Sequence, residues 1–234
     1  MTQRPRRTPS HATTESQLAS AQLSTTQVRR AAPLSRAFFN RDPVVVGREL
    51  LGKLLIRRQG RAFLAGRVVE NEAYLGADDP AAHAYLGRTP RNLVLFGPPG
   101  HAYVYFVYGN HYCLNVSCRP ESLAGSLLLR AMEPVLGIAA MARARGLSLL
   151  PKPRVTQLRL IASGPGRMSE ALGITRDRDN GKDLTSSESD LWLADDGFRP
   201  DGIATTPRIG ITKAVERPLR FVIRGNPYVS GKPG

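Results

Sequence analysis

Only two cysteines, Cys113 and Cys118, occur in 234 residues. They offer no disulfide framework and fit a reducing interior. No apolar run reaches about 18 residues, so nothing reads as a bilayer span. The first 33 residues lack the short apolar block of a secretory signal. His101 and His111 lie near the two cysteines, but there is no Cys-x-x-Cys or His-Glu pairing, and the spacing fails for zinc. A glycine-rich nucleotide loop and a Gly-x-Ser-x-Gly elbow are also missing. No metal and no cofactor are expected. Lysine is scarce as well: Lys53, Lys152, Lys182, Lys213 and Lys232 all fall outside residues 66–133. Schiff-base chemistry needs a lysine, so the pattern favours attack by water.

Negative charge is the remaining shortage. Nineteen Asp and Glu face 33 Lys and Arg, a net charge of +14. That excess excludes an ordinary enzyme of small neutral metabolites and points to a polyanion. The length suits one domain with a tail. Residues 1–33 carry Arg4, Arg6, Arg7, Arg29 and Arg30 against Glu15 alone, and read as a basic, disordered tail rather than an organelle-targeting peptide. The domain is expected over residues 34–234.

Asp42-Pro43 is an N-cap followed by proline at the first helical position, with a stop at Gly52. Strands are expected at 54–56 and 63–69 around the Gln59-Gly60 turn. Residues 76–92 read as a functional loop with one helical turn started by Asp79-Pro80. A hairpin is expected over 102–118, turning at Gly109-Asn110. Further on come a strand at 127–131, helices over 134–145 and from Gly164-Pro165-Gly166 to Gly173, and short strands at 191–193, 208–211 and 219–223. The fold class is α/β in the mixed α+β sense, with mostly antiparallel strands.

Strand alternation puts Tyr103 and Tyr105 on one face of the hairpin and Tyr108 on the other, at its tip. In a basic protein such an aromatic is either a wedge that enters the duplex or a side chain lying back on its own sheet. Glu72 is a candidate general base where a strand meets the loop, with Glu70 an equally available competitor. His83 reads a base edge, donates a proton, or is a capped loop residue.

The strings Gly66-Arg67-Val68-Val69-Glu70-Asn71-Glu72-Ala73-Tyr74-Leu75-Gly76, Ala81-Ala82-His83, Arg88-Thr89-Pro90-Arg91-Asn92, Tyr103-Val104-Tyr105-Phe106-Val107-Tyr108-Gly109, Leu114-Asn115 and Leu129-Arg130-Ala131-Met132-Glu133-Pro134 stand in one order. With Arg208-Ile209-Gly210 and Arg220-Phe221, they resemble the alkyladenine (3-methyladenine) DNA glycosylase family over about residues 36 to 230. The resemblance implies a single domain with a curled antiparallel sheet flanked by helices. It also implies metal-free hydrolysis of alkylated or deaminated purines from double-stranded DNA after base flipping. By position, Glu72 matches the water-activating base and Arg130 a residue that holds that water and carboxylate. Tyr74, His83 and Tyr105 match pocket walls, Asn115 a residue disfavouring the guanine 2-amino group, and Tyr108 the intercalating wedge. Tyr103, Gly109, Asn110, His111, Arg88 and Arg91 are expected to contact DNA. The protein is expected to be a monomer, intracellular and DNA-associated, with no membrane partner. The alternative is a non-catalytic lesion- or nucleic-acid-binding protein on the same scaffold.

Overall fold

The structure, a computed structural model, describes residues 22–107 and 109–231. Ser24 caps α1 (Thr25–Arg30) by accepting from Gln27 N at 3.2 Å, while the Gln27 side chain accepts from Ser24 N at 2.8 Å. Strand β1 (Ala32–Pro33) then pairs with a strand near the other end of the chain, Leu191–Asp195. Val28 is fully buried and packs with Leu54, Ile56 and Trp192. The tail boundary expected at residue 33 is therefore corrected: residues 24–33 belong to the domain, because a capping box and a buried valine fix the helix to the sheet. The rest of the expected tail, residues 1–21, lies outside the described residues.

Helix α2 (Arg36–Phe39) leads to α3 (Pro43–Leu50), whose N-cap Asp42 accepts from Val44 N at 2.8 Å. Strands β2 (Leu54–Gln59) and β3 (Ala62–Tyr74) follow, then β4 (Ala102–Val107), β5 (His111–Cys118) and β6 (Gly125–Leu136). Helices α4 (Ile138–Ala144), α5 (Val155–Ala162), α6 (Pro165–Ala171) and α7 (Arg176–Asp179) come next. β7 (Leu191–Asp195), β8 (Ile203–Thr206) and β9 (Arg220–Ile223) close the chain. The strands form one sheet in the order β1-β7-β2-β3-β6-β5-β4, with β8 and β9 attached to the far half of β3. The pairings are antiparallel, the sheet is unclosed, and the main core fills the space between it and α3, α5 and α6. The fold class is thus as expected: mixed α/β, one domain. No helix among the described residues is long and apolar enough to cross a membrane.

Several local expectations give way to long-range pairing. The helix expected from Pro134 begins only at Ile138, because β6 runs on through Pro134. Proline is tolerated there since it faces Gly66 at a register shift in β3. A Cβ on Gly66 would collide with the Met132 side chain, so the glycine makes the room that this side chain fills. Residues 208–211 form no strand; β8 lies earlier, at 203–206. The turn expected at Asp79-Pro80 is there, with Ala82 N donating to the Asp79 carbonyl at 2.8 Å, and a further 3-10 turn at Gly76–Asp78 precedes it. Three residues, 108–110, join Val107 to His111 in the hairpin, rather than two. Helix α5 carried no cap signal strong enough to be expected.

Candidate active site

Glu70, Glu72 and Tyr74 alternate along β3 and so point to one face of the sheet. Neither glutamate emerges into a loop, as expected for Glu72; both are in the strand interior and fully buried. Glu72 is opposite Leu128 on β6, Leu128 opposite Asn115 on β5, and Asn115 opposite Tyr103 on β4. One row of residues thus crosses four strands on the same face. Two residues further along each strand, Arg130, Cys113 and Tyr105 form the next row. Arg130 is the extra residue of a bulge, since Glu70 pairs with Ala131 and Asn71 with Leu129.

The carboxylates are tied together through Arg130. Its Nε donates to Glu70 Oε1 at 2.9 Å, and its Nη1 lies 3.3 Å from Glu72 Oε1. Glu70 also accepts from Arg220 Nε at 2.7 Å, from Ser230 Oγ at 2.8 Å and from Ser230 N at 2.6 Å. Four donors thus meet Glu70, three of them on Oε1 and one on Oε2. Glu72 accepts from Ile209 N at 2.8 Å and from the Tyr74 hydroxyl at 3.0 Å. Burial raises its pKa above the usual carboxylate value, while Arg130, the Ile209 N–H and the Tyr74 hydroxyl act the other way. Burial also opposes the charge of Arg130, but Glu72 and Glu70 outweigh it and hold the guanidinium more firmly protonated.

A cleft of about 700 Å³ lies beside these residues, lined by Arg130, Tyr74 and Ile209, the three groups that contact Glu72. Its lining includes Tyr74, His83, Tyr105, Asn115 and Arg130, so the structure brings together the residues expected around the base, with Cys113 among them. Tyr103 and Tyr105 stack with ring centroids 5.4 Å apart, and the His83 ring meets Tyr105 edge-on at 4.5 Å. His83 Nδ1 is 3.0 Å from the Tyr103 hydroxyl. His83 is exposed at the cleft edge, and its partial desolvation and the nearby Arg91 lower its pKa. Asn92 staples the loop: its Nδ2 donates to the carbonyls of His83 and Gly87, and its Oδ1 accepts from Thr89 N.

Tyr103, expected among the DNA contacts, is 1% exposed. Its place behind Tyr105 and His83 leaves no surface for a backbone to meet, so it supports the pocket instead. Gly109, Asn110 and His111 are exposed at the hairpin end, and Arg88 and Arg91 are exposed on the loop. Tyr108, the expected wedge, lies outside the described residues. His111 and Gly166 converge at the cleft mouth, where a Cβ on Gly166 would lie 2.8 Å from His111 Cγ.

Sequence reasoning missed Glu70 as the anchor of Arg130, and missed Arg208, Arg220 and Ser230. Arginines facing carboxylates were the available signal, but Arg208 and Arg220 meet Asp79 and Glu70 across 129 and 150 positions, and Ser230 meets Glu70 across 160. It also missed Ile209, which acts through its backbone N–H and so has no side-chain signature.

Comparison with known proteins agrees with this geometry. A family model described as methylpurine-DNA glycosylase matches residues 37–227. A protein of Koribacter versatilis is 64% identical over 201 residues, covering 86% of this chain and 94% of its own length. One from Burkholderia lata is 46% identical over 201 residues, 86% of this chain and 92% of its own. One from Methanoculleus marisnigri is 45% identical over 199 residues, 84% of this chain and 98% of its own. All three are named provisionally as 3-methyladenine DNA glycosylases. With a family match across most of its length and a relative 64% identical, the chain belongs to the methylpurine-DNA glycosylase family and is a DNA glycosylase.

Proposed function

We propose that the protein removes alkylated and deaminated purines from double-stranded DNA, among them 3-methyladenine, 7-methylguanine, hypoxanthine and ethenoadenine. The purine flips into the cleft between Tyr74, His83 and Tyr105, and Glu72 activates the water that displaces it. The observation that carries this reading is Glu72 itself. It is a fully buried carboxylate held by the Ile209 N–H and the Tyr74 hydroxyl, beside an arginine that is itself held by a second carboxylate.

In the reaction, water oxygen bonds to the sugar C1′ as the C1′–N9 bond breaks. Glu72 takes the water proton, and the bond's electron pair leaves with the purine. A purine alkylated at N3 or N7 is cationic and departs neutral without being protonated, so one base suffices; hypoxanthine and ethenoadenine are neutral and leave with a proton supplied at N7 by water or a pocket donor. Aromatic rings around the cleft attract such a cation by about 1 to 2 kcal/mol. Arg130 orients the water and Glu72, and Asn115, 4% exposed on the cleft wall, disfavours the 2-amino group of guanine. Tyr108 fills the space left in the duplex, while Gly109, Asn110, His111, Arg88 and Arg91 contact the backbone. One chain supplies every one of these residues, so a monomer is sufficient.

The test uses wild type and Glu72→Gln with duplexes carrying hypoxanthine or ethenoadenine and with methylated DNA, reading base release and binding separately. Release by wild type, with binding but no release by the variant, is the expected result. Lesion binding by wild type without any release would leave the alternative, a non-catalytic damage-binding protein.

A further inference from the structure

Arg208 and Asp79 form an ion pair whose side chains are both fully buried. Asp79 Oδ1 accepts from Arg208 Nη2 at 2.8 Å, and Oδ2 accepts from Nη1. The same Nη1 donates to the Ala73 carbonyl at 3.0 Å, between Glu72 and Tyr74 on β3. The guanidinium carbon lies 4.6 Å from the centroid of the Tyr74 ring. Asp79 in turn accepts from Leu75 N and Ala81 N, each at 3.2 Å, which ties the start of the His83 loop to the same point.

This arrangement is a poor device for stability. A buried ion pair seldom outperforms an apolar pair of the same volume, and here Arg208 Nε is left buried without a hydrogen-bond partner. Its effect falls on the next residue. Residues 207–213 lie outside the sheet, yet Ile209 N–H is held 2.8 Å from Glu72 Oε1. Arg208 fixes the backbone on the N-terminal side of that donor, so the direction of the Ile209 N–H follows from where Arg208 is anchored.

We propose that the Asp79–Arg208 pair is a latch that positions Glu72, acting through the Ile209 N–H to orient the carboxylate and keep it ionised. Asp79 and Arg208 are positioning residues and do not touch the reacting atoms. The proposal rests on Glu72 being the water-activating base. The groups facing Glu72 are Glu70 and Tyr74 from β3, Arg130 from β6, and Arg208 with the Ile209 N–H from the segment after β8, with Cys113 of β5 nearby. Arg220 of β9 acts one step removed, through Glu70. Burial and Glu70 push the Glu72 proton affinity up, and Arg130, Ile209 and Tyr74 pull it down. Releasing the latch removes one of the three groups that pull it down, so the carboxylate protonates at higher pH.

The experiment measures single-turnover release of hypoxanthine from duplex DNA as a function of pH for wild type, Asp79→Asn, Arg208→Lys and Glu72→Gln. Lesion-duplex Kd and thermal unfolding are measured alongside. For Asp79→Asn the acid limb is expected to move up by about one pH unit, with about a tenfold loss of rate below it. Kd is expected to stay within about threefold of wild type. Arg208→Lys keeps the charge but not the fork, and carries the same expectation at smaller size. It serves if Asp79→Asn does not fold. Folded variants with a wild-type acid limb overturn the latch, as does a rate loss matched by lost binding with the limb unmoved. Glu72→Gln separates the two levels: if it releases base normally, the function reading fails, whereas if it is inactive and the limb stays put, only the latch fails.

Discussion

The Tyr74 hydroxyl donates to Glu72 Oε2 at 3.0 Å, so a wall of the base pocket is hydrogen-bonded to the candidate base. The bond makes the position of the ring and the orientation of the carboxylate one variable. Burial, then the charge of Glu72, hold the Tyr74 hydroxyl protonated far above its usual range, so it remains a donor at any working pH. Tyr74→Phe keeps the ring and removes the donor. The carboxylate, already raised by burial, should rise further, and base release should fall about three- to tenfold on the acid side with little change at high pH. A pH–rate profile under single-turnover conditions checks this; an equal loss at all pH values would point to pocket geometry instead.

Arg130 spans both carboxylates, and that geometry needs the planar fork. Arg130→Lys keeps one charge and cannot reach Glu70 and Glu72 together. Base release is expected to drop by roughly 10- to 100-fold, with lesion binding reduced much less. Glu70→Gln should reproduce part of the loss, because Glu70 Oε1 is the partner of Arg130 Nε. Comparing kcat with Kd for both variants distinguishes this from a general loss of affinity.

On the far side of the sheet, burial would raise the Asp190 pKa, but hydrogen bonds from Lys182 and Arg178 and the charge of Arg57 win and hold it at about 2. The folded value lies below the ordinary 3.8. The stability it contributes is therefore present above about pH 4 and is lost as pH falls toward 2. Asp190→Asn should be less stable than wild type near neutrality, and the gap should close over that acid window. Urea unfolding at several pH values reads both.

Val28 is fully buried between α1 and the sheet, far from the cleft. Val28→Ala should cost about 1.5 to 2.5 kcal/mol, from the lost methyl groups and the space they leave. Single-turnover base release at a temperature where the variant stays folded should be unchanged. A neutral effect on stability would show that α1 is not part of the folding unit.

The elements legible in the sequence were those whose signals are local. Asp42-Pro43 announced α3 because the cap and the first turn are adjacent in the chain. Alternation from Ala102 onward announced the hairpin and put Tyr103 and Tyr105 on one face, as the stacked rings confirm. The capping box Ser24-x-x-Gln27 was equally legible, but the arginine-rich surroundings read as a tail. The ordered motif strings led to the family, and with it to Glu72, Arg130 and the pocket walls.

What the sequence could not supply is the way distant segments override local preference. Pro134 reads as a helix start by itself, yet pairing with Gly66 keeps it in a strand, because burying β6 against β3 outweighs a local signal. Arg208-Ile209-Gly210 reads as a strand, but Arg208 is drawn to Asp79, 129 positions earlier. Nothing near Glu70 or Glu72 distinguishes one carboxylate from the other. The sequence by itself determined the composition, the helix caps, the hairpin and the residues that reach the cleft. Only the tertiary structure decided which donors each glutamate meets, since these come from Arg220, Ser230 and Ile209, and hydrogen bonds are short-ranged in space regardless of separation along the chain.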